Sequence, residues 1–189
     1  MDQAEVLLIG GRAGVGKTTV GWEVSALLRD AAVSHAIIDG DYLGQVHPAP
    51  AGDPLRAEIT TCNLTAVWAN FARRGYRRLI YMNTVSVLPE ATAMFERAMG
   101  ADVRIVRVLL TATDTTTGER LRRRELGSGL AQELDGSARK ARLLDRQAPA
   151  GTVRVATDER GVVDIAQEVV RATGWMASGK RAGTNDWLI

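Results

Sequence analysis

The chain has 189 residues, which suits one α/β domain with a substantial core and is short for two. Its formal net charge of +2 is too small to argue for a nucleic-acid partner. No run of eighteen apolar residues predicts a membrane span, and no basic region or cleavage site precedes the first apolar run, so we expect a cytoplasmic protein. The single cysteine, Cys62, excludes an internal disulfide, and its apolar helical surroundings predict a buried side chain.

A glycine-rich loop follows the first predicted strand, Val6–Ile9. Residues 11–18, GRAGVGKT, satisfy the pattern GxxxxGK followed by Thr. Apolar residues then recur at helical spacing at Val20, Val24, Leu27 and Leu28. Because strand, loop and helix occur in this order, the motif has the context that a phosphate-binding loop requires.

The chemistry of phosphate binding explains each residue type in this loop. Glycines allow backbone N–H groups to converge on phosphate oxygens, and the following helix adds the partial positive charge of its first turn. Lys17 would supply an ammonium to the β- and γ-phosphates, and Thr18 a hydroxyl oxygen to Mg²⁺. We predict that a nucleoside triphosphate lies against Gly11, Ala13, Gly14, Val15, Gly16, Lys17, Thr18 and Thr19.

Two carboxylates follow the second predicted strand, His35–Asp39, in the sequence Asp39-Gly40-Asp41. In open α/β sheets ligands gather beyond the carboxyl ends of the strands, so Asp39 and Asp41 are candidate site residues. Asp-Gly is also common turn chemistry, and a turn or cap is the alternative role for either aspartate. The glycine- and proline-containing stretch 43–53 predicts a loop that binds the second substrate.

The remaining chain alternates strands with helices. Helices are predicted over 55–74, 89–99, 137–147 and 162–174, and strands over 79–82, 103–110 and 152–156. A basic helix from Thr113, containing Arg120, Arg122, Arg123 and Arg124 before Gly127-Ser128-Gly129, predicts a lid at about 113–136. The alternation predicts a parallel sheet in a single domain over 1–177, with a tail at 178–189.

The chain resembles the small P-loop kinases in its phosphate loop, its Asp-Gly-Asp after the second strand and its arginine-rich segment after the fourth. That family includes nucleoside monophosphate, adenylylsulfate, gluconate and shikimate kinases and phosphotransferases that inactivate antibiotics. The resemblance implies a three-layer sandwich with a five-stranded parallel sheet of order 2-3-1-4-5, helices on both faces and an arginine-bearing lid. It also implies transfer of the γ-phosphoryl group of ATP, with Mg²⁺, to a small acceptor.

The family's functional residues have matches here. The phosphate loop would hold ATP and Mg²⁺, and Asp41 or Asp39 would act on the acceptor hydroxyl. Arg120 and Arg124, one helical turn apart, would match the lid arginines that reach the transferred phosphoryl group, while Asp158 would lie near the adenine. The sequence departs from the family at the end of the third strand, where Asn83 replaces an aspartate that often helps to order Mg²⁺ through water.

The leading hypothesis is an ATP-dependent kinase that phosphorylates a hydroxyl or phosphate of a small metabolite, nucleoside, nucleotide or antibiotic. A regulatory NTPase is a second hypothesis, although the Asn-Lys-x-Asp motif of a GTPase does not occur. A third hypothesis is a resistance protein that binds ATP with little phosphotransfer. The replacement of the third-strand aspartate by Asn83 is the reason to keep this hypothesis. We expect a small-molecule acceptor as the partner, neither nucleic acid nor membrane, and a monomer or homodimer.

Overall fold

The computed structural model describes residues 3–124 and 130–178, and within helices it leaves out the side chains of Arg124, Ala177 and Ser178. The strands are β1 (Glu5–Gly10), β2 (Ala36–Asp39), β3 (Arg78–Met82), β4 (Arg104–Thr111) and β5 (Val153–Ala156). The α-helices are α1 (Lys17–Asp30), α2 (Ala57–Arg73), α3 (Thr92–Met99), α4 (Asp114–Arg124), α5 (Leu130–Gln147) and α6 (Val162–Thr173). Short 3₁₀ turns cover Gly40–Tyr42, Pro89–Ala91 and Trp175–Ser178.

The five strands form one parallel sheet in the order β2-β3-β1-β4-β5, which confirms the predicted order. In the register of the sheet, Ile9 of β1 lies beside Met82 of β3, and Met82 lies beside Asp39 of β2. All three strands therefore end at one edge of the sheet. The phosphate loop, Asn83 and the Asp39–Asp41 corner emerge there together.

Each face of the sheet carries its own hydrophobic core, because alternate residues of a strand point to opposite faces. Leu7 and Ile9 of β1 pack with α1, α6 and the buried Trp175 on one face. Val6 and Leu8 pack with α2, α3 and Leu144 of α5 on the other. The result is a three-layer sandwich with helices on both faces, as predicted. In the part of the chain that the structure describes, no helix is both long and apolar enough to span a bilayer.

Two details differ from the sequence prediction. Cys62 is exposed rather than buried, because the buried stripe of α2 runs through Thr61, Leu64 and Trp68 and places the cysteine about 100° around the helix from Thr61. Helix α5 begins at Leu130 rather than at Ser137, since Gly136 lies inside the helix instead of ending it.

Glu5 joins four elements at the amino end of the sheet. Its carboxylate forms ion pairs with Arg78 of β3 and Arg104 of β4, and accepts a hydrogen bond of 3.0 Å from the indole nitrogen of Trp175. The Glu5 side chain is 19% exposed, so these bonds form in a partly desolvated setting where a lost partner leaves a charge uncompensated.

We expect Glu5→Gln to lower the free energy of unfolding by about 1–2 kcal/mol, because two arginines lose their counter-charge. Chemical denaturation monitored by circular dichroism measures this change. The control is Asp135→Asn, which removes the ion pair with Arg139 on α5, where both side chains are about two-thirds exposed; its expected cost is below ~0.5 kcal/mol. Equal losses in the two variants would contradict the assigned role of Glu5.

Candidate active site

The phosphate loop connects the end of β1 to the start of α1, and its glycines are required by its geometry. Gly14 and Gly16 have φ angles of +86° and +94°, which side chains of L-residues rarely tolerate. A Cβ atom at Gly14 would also lie 2.9 Å from the carbonyl oxygen of Thr117 in α4. The backbone N–H groups in the first turn of α1 point toward the loop, as at any helix amino end. Gly16, the N-cap residue, has no side chain to bond to them.

Arg12 fixes the loop to the amino end of α4. Its side chain is buried, with its guanidinium bonded to the Asp114 carboxylate and, at 2.8 Å, to the carbonyl oxygen of Ala112. The backbone carbonyl of Arg12 accepts a hydrogen bond of 3.4 Å from Lys17 Nζ, which places the lysine ammonium over the loop. Sequence analysis missed this role, because the motif leaves the second position unspecified.

Arg120 and Ser137 attach the two neighbouring helices to the same loop. The Arg120 guanidinium donates to the carbonyl oxygens of Gly14 and Val15 at 3.4 Å, and to Oγ1 and the carbonyl oxygen of Thr157 at 3.0 Å. Ser137 Oγ, on α5, donates to the carbonyl oxygen of Ala13 at 3.0 Å. In this conformation Arg120 therefore positions the loop, while still lining the cavity around it.

Asp39 lies beside the residue predicted to hold Mg²⁺. Thr18 Oγ1 donates to Asp39 Oδ2 at 3.3 Å, and the other carboxylate oxygen caps the turn by accepting from the backbone N–H of Asp41 at 3.1 Å. Gly40 is required between these aspartates for space rather than for its φ angle, because a Cβ there would lie 2.2 Å from the Tyr81 hydroxyl. Both the turn role and the site role predicted for Asp39 are compatible with this geometry.

Asn83 orients Asp41. Its side-chain oxygen accepts the backbone N–H of Val85 at 3.0 Å, which leaves the amide nitrogen to donate to Asp41 Oδ1 at 2.6 Å. An aspartate at position 83 would face Asp41 with a second negative charge and without a donor. The departure from the family pattern thus has a local explanation: the amide holds the Asp41 carboxylate at the edge of the sheet.

Most of the predicted residues surround one polar cavity of about 730 Å³. Its walls include Ala13, Gly14, Gly16, Lys17, Thr18, Thr19, Asp41 and Arg120. Gly11 and Val15 are buried beneath the loop and are not among its lining residues. Lys140 and Glu133 of α5 also line the cavity. No sequence motif indicated these two residues, because only the tertiary fold places α5 beside the phosphate loop.

Asp158 connects the ends of β4 and β5. Its Oδ1 accepts hydrogen bonds of 2.9 Å from both the backbone N–H and the hydroxyl of Thr113. The Thr113 N–H, followed by the hydroxyls of Thr116 and Thr113, lowers the pKa of the Asp158 carboxyl group to about 2. Asp158 is therefore ionised throughout the physiological range and positions the start of α4. Its predicted place near the adenine stays a prediction.

Comparison with known proteins tests the architecture. No family model matches the sequence, and no curated protein matches it either. Among solved structures, the tunicamycin resistance protein of Deinococcus radiodurans is similar, with a TM-score of 0.62 at 18% identity over 91% of this chain and 96% of that one. A gluconokinase from Sinorhizobium meliloti 1021 gives a TM-score of 0.57 at 20% identity over 94% of both chains. The fold is that of the small P-loop kinases.

A third similar structure is the APS kinase of Mycobacterium tuberculosis in complex with AMPPNP and APS, with a TM-score of 0.53 at 19% identity over 91% of this chain and 98% of that one. The predicted resemblance to the small P-loop kinases is thereby confirmed for the fold. The lid prediction is not tested, because residues 125–129 and the Arg124 side chain lie outside the described residues, as does the tail beyond Ser178. The roles predicted for individual site residues stay predictions.

Proposed function

We propose that this protein is an ATP-dependent kinase that transfers the γ-phosphoryl group to a hydroxyl of a small molecule. One observation carries the proposal: Lys17, Thr18 and Asp41 line a single cavity, although they come from different parts of the chain. The first two belong to the phosphate loop, and the third follows a neighbouring strand. Phosphoryl transfer needs charge neutralisation and positioning more than covalent chemistry, and this set of residues supplies both.

In the proposed reaction, the acceptor oxygen attacks the γ-phosphorus and the bond to the β–γ bridging oxygen breaks, releasing ADP. Asp41 accepts the hydroxyl proton or orients the hydroxyl, while Asn83 holds the carboxylate in place. Lys17 stabilises the charge on the β- and γ-phosphates. Arg120 acts as a positioning residue through its bonds to the loop carbonyls.

Thr18 and Asp39 fit the requirements of a magnesium site. Mg²⁺ prefers hard oxygen ligands and usually takes one or two protein groups together with substrate phosphates. Thr18 Oγ1 and Asp39 Oδ2 lie 3.3 Å apart and offer such oxygens at the start of α1. When bound, the ion would neutralise charge on the phosphate oxygens, and Thr18 would hold it with Asp39 beside it.

A coupled assay of ADP formation tests the proposal. The full chain is incubated with ATP, Mg²⁺ and a panel of nucleosides, nucleotides, sugars and hydroxylated antibiotics, and products are checked by mass for an added phosphate. We expect at least one acceptor to gain a phosphate at a rate well above ATP hydrolysis without acceptor. A folded protein that forms no ADP across the panel would contradict the kinase assignment.

The same assay separates the second candidate, a resistance protein that binds ATP and a ligand with little turnover. The similarity to the tunicamycin resistance protein and the replacement of the third-strand aspartate by Asn83 favour keeping this candidate. In that case both ligands bind, but no phosphate appears on the acceptor.

Lys140 provides a further prediction. It is the cation that α5 contributes to the polar cavity around the phosphate loop, which we call the phosphate cavity. We expect Lys140→Ala to lower kcat/KM for ATP about tenfold, which corresponds to the loss of roughly one charge-assisted contact of ~1.4 kcal/mol. Arg139→Ala is the matched control, because this neighbouring cation is exposed and paired with Asp135 at 3.1 Å. Equal effects of the two substitutions on steady-state kinetics would exclude a specific role for Lys140.

A further inference from the structure

A second cleft, of about 660 Å³, adjoins the phosphate cavity. Its walls come from α2, the segment between β3 and α3, α3 itself and the end of α5. Asn83 belongs to these walls, and its hydrogen-bond partner Asp41 belongs to the phosphate cavity. The two cavities therefore meet at the Asp41–Asn83 pair, where the proposed mechanism places the acceptor hydroxyl.

The lining of this cleft is largely apolar. Leu55, Val85 and Leu143 line it and are 87%, 38% and 37% exposed, although large apolar side chains are normally turned inward. Leu88 and Met94 add further apolar surface from the β3–α3 side. A concave apolar surface of this volume is typical of a small-molecule site.

The charged groups of the cleft do not favour an anionic ligand. Among the described lining residues, the charged ones are Glu90 and Arg97. The Arg97 guanidinium makes two contacts of 3.0 Å with the carboxylate of Glu58, so Arg97, Glu58 and Glu90 together bring one net negative charge to this wall. Nearby Arg56 donates to the carbonyl oxygen of Val46 at 3.1 Å and is not among the lining residues.

The serine and threonine hydroxyl groups that line the cleft act as hydrogen-bond donors to the backbone. Thr60 Oγ1, Thr61 Oγ1 and Ser86 Oγ donate to carbonyl oxygens at 2.6, 2.8 and 3.1 Å, respectively. Each hydroxyl has one proton, so what it still offers a ligand is an acceptor oxygen. A ligand that donates hydrogen bonds is matched by these three hydroxyls, whereas a carboxylate or phosphate group, which only accepts, is not.

We propose that this cleft binds a neutral, mainly apolar molecule whose hydroxyl lies at the Asp41–Asn83 pair. The inference rests on the proposed kinase activity, in which this molecule is the phosphoryl acceptor. Its hydroxyl oxygen forms the new bond to the γ-phosphorus, the bond to ADP breaks, and the hydroxyl proton passes to the Asp41 carboxylate. The apolar body of the molecule packs against Val85, Leu88 and Leu143.

Binding of matched probes tests the ligand class independently of turnover. The probes are 4-phenylbutan-1-ol, 4-phenylbutanoate and butan-1-ol, titrated by NMR into the full chain with Mg²⁺ and a non-hydrolysable ATP analogue. We expect the phenyl alcohol to bind at least about tenfold more tightly than the carboxylate, whose charge would be desolvated, and than butan-1-ol, which buries less apolar surface. Equal or tighter binding of the carboxylate would overturn the proposal.

Leu143→Glu locates the binding, because Leu143 is partly exposed on α5 and its replacement leaves both cores intact. We expect this variant to weaken binding of the phenyl alcohol at least tenfold without changing affinity for the ATP analogue. The control is Val163→Glu, on α6 and outside the cleft, which should change neither affinity. Unchanged alcohol binding in Leu143→Glu would place the probe elsewhere and overturn the proposal.

Two further outcomes have distinct meanings. Selective alcohol binding in the cleft without ADP formation across the acceptor panel would exclude the kinase function and leave the ligand class standing. Efficient phosphorylation of an anionic acceptor would support the kinase function and overturn the ligand class. Sedimentation at the same concentrations detects the other possible occupant: a dimer that Leu143→Glu dissociates would assign the cleft to a second copy of the chain.

Discussion

Lys17→Ala is expected to abolish most phosphotransfer while leaving the protein folded. The ammonium lies over the phosphate loop, 3.4 Å from the Arg12 carbonyl oxygen, where the β- and γ-phosphates would carry the charge of the transition state. Removing one such electrostatic contact lowers kcat by about 10²–10³-fold. The Lys17 side chain belongs to neither hydrophobic core, so the free energy of unfolding, measured by thermal denaturation, should change by less than ~0.5 kcal/mol.

The matched control is Arg29→Ala, an exposed cation in the last turn of the same helix. Both variants are compared in single-turnover assays and by titration with a fluorescent ATP analogue. Turnover in Lys17→Ala that equals turnover in Arg29→Ala would refute the assignment of residues 11–18 to phosphate binding.

Asp41→Asn should slow phosphotransfer about 10²–10⁴-fold with a smaller effect on ATP affinity, because a neutral amide cannot take the acceptor proton. The Asn83 amide can still donate to the side-chain oxygen at position 41, so the hydrogen bond that orients this side chain is retained. Rates at saturating ATP and dissociation constants for ATP, each with Mg²⁺, separate the two effects.

Asp39→Asn is the informative comparison, since Asp39 contacts Thr18 rather than Asn83. This variant should raise the Mg²⁺ concentration needed for half-maximal activity more than Asp41→Asn does. Asp30→Asn, at the exposed end of α1, controls for the loss of one surface charge. An equal loss of ATP binding in Asp41→Asn would instead make Asp41 a metal-binding group.

The fold was predictable because its signals are local. The apolar runs of β1 and β4, the glycine spacing of the phosphate loop and the helical periodicity of α6 each reside within one stretch of sequence. Strand order came from the resemblance that the phosphate loop and the following motifs established. The convergence of Asp39, Asp41 and the loop then followed from the geometry of parallel strands, whose carboxyl ends share one edge.

The unpredicted features depend on contacts between distant residues. Lys140 lines the phosphate cavity only because α5 packs beside the loop, and no spacing rule relates it to Lys17. From the sequence, Asn83 is only the replacement of an aspartate that often helps to order Mg²⁺. The structure shows its hydrogen bond to Asp41, which the sequence could not indicate. The prediction for Cys62 was wrong because an apolar neighbourhood in the sequence does not show which face of α2 is buried, and the buried residues of this helix are Thr61, Leu64 and Trp68.

Arg12 and Ser137 have a mechanical consequence. Arg12 fastens the phosphate loop to the beginning of α4, and Ser137 fastens it to the middle of α5. Helices α4 and α5 are thus both attached to the loop that would hold the nucleotide in the proposed function. If the loop binds a nucleotide as proposed, binding and release would act at the same time on the amino end of α4, through Arg12, and on the middle of α5, through Ser137.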